Sequence, residues 1–187
     1  MVSKKVKIKR TIIAVVIIAS ILSFLWVYDY YDNVTVELPK NLENLINEKL
    51  QGWEYSNMVI DVSDRVFTSV SHRVIKIDKQ KDQTIVYGLF EIMSYTHSIV
   101  EEIKETKEYG IYADGSREWL KIYIKNDKQD KEYISDIWYS TGPDYEFKLM
   151  MEFPITTWSQ LFISKDKYYE QLYIESIQQF KDYIGNN

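Results

Sequence analysis

Residues 11–28, TIIAVVIIASILSFLWVY, run for eighteen positions without a charge. At 1.5 Å per residue such a run makes about 27 Å of helix, close to the hydrocarbon thickness of a bilayer. Lys4, Lys5, Lys7, Lys9 and Arg10 precede it, and residues 1–10 contain no acid. Basic flanks favour the cytoplasmic side, so the rest of the chain is expected outside. Trp26, Tyr28, Tyr30 and Tyr31 gather at the exit, where amphipathic rings favour the headgroup layer. A cleavable signal peptide needs small residues at its cleavage site, whereas Ser23 is followed by the bulky Phe24, Leu25, Trp26, Val27 and Tyr28. The expectation is a single-pass protein of the cell membrane. It has a cytoplasmic basic tail (1–10), a transmembrane signal-anchor in contact with the lipid bilayer (11–28), a linker (29–38) and an extracytoplasmic domain (39–187).

The charge beyond the basic tail narrows the choice of partner. Five of the 23 basic residues lie in positions 1–10, so the remainder carries 18 bases against 28 acids, a net charge of −10. An acidic domain repels phosphate backbones, and no nucleic-acid partner is expected. Cysteine is absent, which excludes a disulfide framework, a thiolate metal site and a cysteine nucleophile.

Residues 39–187 read as helix, strands, helix. After Pro39, the residues Leu42, Leu45, Ile46, Leu50 and Trp53 recur at helical spacing, and Gly52 stops the run. Strand signals follow at Val74, Ile75 and Ile77. Beyond the turn at residues 79–82, TIVYGLFEIMSYTHSI (84–99) is long for one strand, and Gly88 within it suggests a bulge or bend. Residues 100–109 are dominated by charge and read as a solvated strand end or loop. Residues 117–127 alternate, with Leu120, Ile122 and Ile124 opposite Trp119, Lys121, Tyr123 and Lys125. After a polar turn at 126–130, residues 131–140 alternate again, which predicts a hairpin. Residues 145–153 are an apolar run ended by Pro154, and Tyr169, Leu172, Tyr173, Ile177, Phe180 and Ile184 form the stripe of a last amphipathic helix. The fold class expected is α+β: the transmembrane helix, then a curved antiparallel sheet packed on one or two amphipathic helices.

Ile75–Lys79, Val86–Phe90, Trp138, Pro143-Asp144-Tyr145 and Phe153-Pro154 together resemble secreted or membrane-anchored domains of Gram-positive bacteria with a cystatin-like or NTF2-like fold. The resemblance covers roughly residues 40–160. It implies a helix cradled by a curved antiparallel sheet, and it carries over no functional residues.

Signatures of chemistry are few. His72 and His97 stand alone, without the spacing of a zinc site, so no metal, no cofactor and no catalytic residue are assigned. There is no nucleophile elbow and no glycine-rich phosphate loop. Two carboxylates sit among apolar neighbours: Asp136 between Ile134 and Trp138, and Glu91 between Leu89 and Met93. Burial of either would raise its pKa and suit a small-pocket enzyme or small-molecule binder. The other candidate is an aromatic stripe of Trp119, Tyr123, Tyr133 and Tyr139, interleaved with Lys121 and Lys125 on one face of the hairpin. Tyrosine and tryptophan combine an apolar body with a polar tip, which suits a surface for an envelope protein or a cell-wall component. A binding module of this kind is the first expectation, and the buried-carboxylate pocket is the alternative.

Overall fold

The computed structural model describes residues 13, 15–20, 23, 36–53, 64–110, 112, 114–140, 143–162 and 165–186. Backbone proximity divides the chain into two units, Met1–Val34 and Thr35–Asn187.

In the first unit, Ile13, residues 15–20 and Ser23 are helical. The expected membrane span is not supported: among the described residues no helix is long and apolar enough to cross a membrane. A span needs about 20 consecutive residues of apolar helix. The signal-anchor and the single-pass cell-membrane address that rested on the span are corrected with it. The aromatic exit and linker residues 29–35 lie outside the described residues.

The second unit is α+β. Its elements are α1 (Lys40–Gln51), β1 (Arg65–Lys79), β2 (Thr84–Thr96), α2 (His97–Thr106), β3 (Asp114–Asn126), β4 (Glu132–Tyr139), α3 (Tyr145–Glu152), a 3-10 turn (Ile155–Thr157), α4 (Trp158–Phe162) and α5 (Lys165–Asn186). The four strands form one antiparallel sheet in the order β1-β2-β3-β4. Each strand pairs with its sequence neighbour, as hairpin connections require.

Both faces of this sheet are covered. On one face, Leu42, Ile46 and Leu50 of α1 pack on Val70, Val86, Phe90, Leu120 and Ile122. On the other, Tyr87, Leu89 and Trp119 meet Leu149 of α3, Phe153, Leu161 of α4, and Tyr168 and Leu172 of α5. A third cluster joins Met93 and Tyr95 of β2, Val100 and Ile103 of α2, and Phe180 of α5, whose ring stacks on Tyr95 at 3.7 Å. Double coverage explains why β2 reads as a nearly unbroken apolar run. With helices on each side, neither set of alternating side chains has to be polar.

Register shifts set which residues face which layer. Val74 pairs with Gly88 and Lys76 with Tyr87, leaving Ile75 as the extra residue of a bulge in β1. A Cβ on Gly88 would stand 2.8 Å from the Arg73 carbonyl oxygen and 3.3 Å from the Val74 Cα. The glycine therefore admits the bulge of its neighbour and carries no shift of its own. Another shift lies between Arg65↔Thr96 and Phe67↔Tyr95, and a third separates Tyr123↔Asp136 from Ile124↔Ile134, with Ser135 unpaired.

The outer edge of β1 is occupied. The Gln179 side chain of α5 donates Nε2–H to the Val70 carbonyl (2.9 Å) and accepts the Val70 N–H on Oε1 (3.1 Å). The Val36 N–H donates to the Val74 carbonyl at 3.1 Å. One side-chain amide thus does at Val70 what a neighbouring strand would do.

Candidate functional site

The hairpin of β3 and β4 distributes the expected aromatic stripe over two layers. Trp119 is 1% exposed and packs in the α3–α5 layer, edge-on to Phe153 at 6.2 Å. Tyr123 is half-buried in the same layer. Tyr133 pairs with Lys125 and is 44% exposed. Tyr139 pairs with Leu120, belongs to the α1 layer and meets Trp53 in a T-shaped contact at 5.3 Å. The physical reason is the bulge at Ser135. One extra residue exchanges the faces of all side chains on one side of it, so Ile134 and Tyr139 share a layer although their numbers differ by five.

The same bulge decides the fate of Asp136. It lies opposite Tyr123, away from Ile134, and is exposed. Its carboxylate accepts the N–H of Ile137 at 2.9 Å. Asp136 lines a shallow hollow of about 270 Å³ beside Lys49 and Trp53.

Glu91 is enclosed. It is 5% exposed, and Arg117 of β3, directly across in register, donates to its Oε1. Burial pushes the Glu91 carboxyl above its ordinary value, against the pull of the Arg117 guanidinium. The guanidinium also lies over the Tyr169 ring of α5, 4.6 Å from its centroid. Ser71, opposite Glu91 on β1, donates to the Leu172 carbonyl (2.8 Å) and lies 2.9 Å from the Ser176 hydroxyl. Ser71 and Arg117 thus help seat α5, while Glu91 Oε2 and Arg117 Nε are buried without a hydrogen-bond partner among the described residues. The hollows at the α1 N-terminus, at α1–β4, at the β1–β2 turn and at the start of β1 are lined by other residues.

Lys121 is tied down as well. Its Nζ bonds Glu152 of α3 at 3.0 Å and lies over the rings of Tyr123 and Tyr87 at 5.1 and 5.8 Å. Burial lowers the Lys121 pKa, but bonds to Tyr123 and Glu152 outweigh this and leave it raised. Such a lysine stays charged and serves as a clasp between sheet and helix.

Of the histidines, His97 begins α2 in an exposed position. His72 stacks on Phe90 at 5.7 Å and borders an open hollow of about 950 Å³ with Leu38, Lys40 and Glu43. Burial lowers its pKa, opposed by Glu43. Among the described residues no three His, Cys, Asp or Glu side chains are grouped to hold a metal ion.

Within residues 35–187, Ile174 of α5, Tyr112 and Tyr133 are exposed singly, whereas several large apolar side chains are presented outward together on α3. Leu149 points into the core at 1% exposure, and Tyr145 and Glu152 are half-buried beside it. On the opposite side Phe147 is 66% exposed, Met150 36% and Met151 71%. Positions 147, 150 and 151 are neighbours on a helix surface. Ile155, just beyond the helix, is 72% exposed. The segment YEFKLMME carries this signal in sequence: its apolar residues are too many for one stripe, so a helix here must show some of them to solvent. Read only as an apolar run, the segment conceals its two-sidedness. The chain matches no family model, no curated protein and no solved structure.

Proposed function

We propose that the domain of residues 35–187 is a protein-binding module whose contact surface is the outer face of α3. The observation that carries this reading is the exposure of Phe147, Met150 and Met151 on a helix whose other side is anchored by Leu149. Single exposed apolar residues are ordinary, but neighbouring large ones mark interaction sites. Methionine strengthens the case, because its flexible, polarisable side chain adapts to varied partner surfaces. The interaction role expected of the hairpin aromatics moves to this helix, since Trp119 and Tyr139 are engaged in packing. Glu91, the buried carboxylate of the alternative reading, is bonded to Arg117 and lies under α5.

The test is site-specific photo-crosslinking of the full chain in its native cells, with benzoylphenylalanine at position 147 or 151 and, for comparison, at the exposed strand position 136. The reading expects a discrete protein adduct from the helix positions alone, lost when the other helix residue is changed to serine. Equal adducts from all three positions, or none from the helix, would overturn it.

A further inference from the structure

We infer that the partner of the α3 face is a basic amphipathic helix, a class of partner that rests on the binding reading above. Three observations lead there. The face is the outside of a helix, not a hollow, and Phe147 and Met151 stand out at 66% and 71% exposure. A small apolar molecule would gain contact on one side only, whereas a second helix can lay a ridge of its own along the 147/150/151 row. The apolar row is also short. One helical turn of side chains, continued by Ile155, suits the i, i+3, i+4, i+7 anchors of an amphipathic helix better than a broad flat surface.

The third observation is charge. Asp144 and Glu146 are exposed at the start of α3, beside the apolar row, and Lys148 is the one base of that helix. Residues 35–187 hold 18 Lys and Arg against 26 Asp and Glu, a net charge of −8. A partner whose apolar stripe is bordered by lysine or arginine gains from this field both on approach and when docked. An acidic helix is repelled by it, and so is an anionic bilayer.

The probe is a fluorescent eighteen-residue peptide with leucine at helical anchor spacing and lysine elsewhere, titrated by anisotropy into the full chain. Two comparison peptides replace every lysine by glutamate or every leucine by serine. The leucine–lysine peptide is expected to bind, and both comparison peptides to bind at least about tenfold more weakly. The Phe147→Ser/Met151→Ser pair should weaken it by about tenfold or more. The Asp144→Asn/Glu146→Gln pair should weaken it about threefold, an effect that shrinks as salt is added. All four positions are exposed, so circular dichroism melts should match the parent within a few degrees. Leucine–glutamate binding of equal strength, still lost in the Phe147/Met151 variant, would overturn the basic class and leave the α3 surface standing. Peptide binding indifferent to Phe147 and Met151 would overturn both. Binding of phosphatidylcholine vesicles with no peptide binding would overturn the inference in favour of a lipid surface, and silence from every probe would overturn it outright.

Discussion

The two faces of the sheet are held by different physics. Against α1 the contact is an aliphatic and aromatic layer, Leu42, Ile46 and Leu50 on Val70, Val86, Phe90 and Leu120. Against α5 the contact mixes stacked rings with directional bonds: Ser71 to Leu172 and Ser176, Glu91 to Arg117, Arg117 over Tyr169, Gln179 to Val70. Apolar burial rewards contact without regard to direction, so it says that a helix packs but only loosely where. Hydrogen bonds are worth little net but are costly to leave unmade, so they select one register among several that bury similar area. The α1 side coheres by apolar burial, and the α5 side adds directional bonds that set position.

Substitutions can break or sharpen that contrast. The largest effect is expected from Phe90→Ala, at a site fully enclosed on the α1 side. Loss of the ring should cost about 3–5 kcal/mol in urea unfolding. A cost under about 1 kcal/mol would mean that the α1 layer contributes little cohesion.

Next comes Arg117→Ala, which leaves Glu91 buried without its cation. A loss of about 3 kcal/mol at neutral pH is expected, the lower end for a broken buried pair because the Arg117 side chain is 30% exposed. The pH dependence carries its own sign. The folded Glu91 carboxyl has a raised pKa, so just above the ordinary carboxylate value the folded state holds more protons than the unfolded state. The parent should therefore lose stability from this group as pH rises through the folded pKa, and keep it below the unfolded value. Without Arg117 the raised pKa rises further, so the variant should recover ground on acidification. A variant deficit that stays constant from pH 4 to 7 would remove Glu91 as its cause.

A smaller effect is expected at Ser71. Ser71→Ala removes the bond to Leu172 and should cost about 1 kcal/mol. If the α5 side sets position, the change should also speed amide exchange near Leu172 more than Phe90→Ala does relative to its stability loss. The smallest effect is expected at Met151. Met151→Ser should stay within about 0.5 kcal/mol of the parent, since its side chain already lies in solvent. A large loss there would show that the α3 face is covered in the free protein.

How much of this was readable in advance follows from the same contrast. Helix α1 is legible because Leu42, Ile46 and Leu50 obey one period and face one layer. Strand β3 is legible because Leu120, Ile122 and Ile124 alternate cleanly against partly exposed residues. Strand β2 hides its alternation because both faces are enclosed, so its end at Thr96 blurs into α2. That helix, dense in Glu and Lys, buries only Val100 and Ile103 and reads as a loop. The faces of β4 could not be read at all, because a bulge at Ser135 is a tertiary event that leaves no local mark. Of the site, the burial of Glu91 follows from its place in a doubly covered strand. The exposure of Phe147 and Met151 depends on which side of α3 the core claims, and composition does not state that.

The Gln179 contact has a consequence in time. Val70 and Gln179 lie 109 residues apart, and the edge of β1 that the glutamine occupies is synthesised first. At about 5–20 residues per second, the ribosome needs on the order of 5–20 s to deliver one after the other. Val36, made before β1, can reach Val74 at once. Through that interval the growing chain carries a strand guarded at one point and open at another. The last helix to emerge closes the gap.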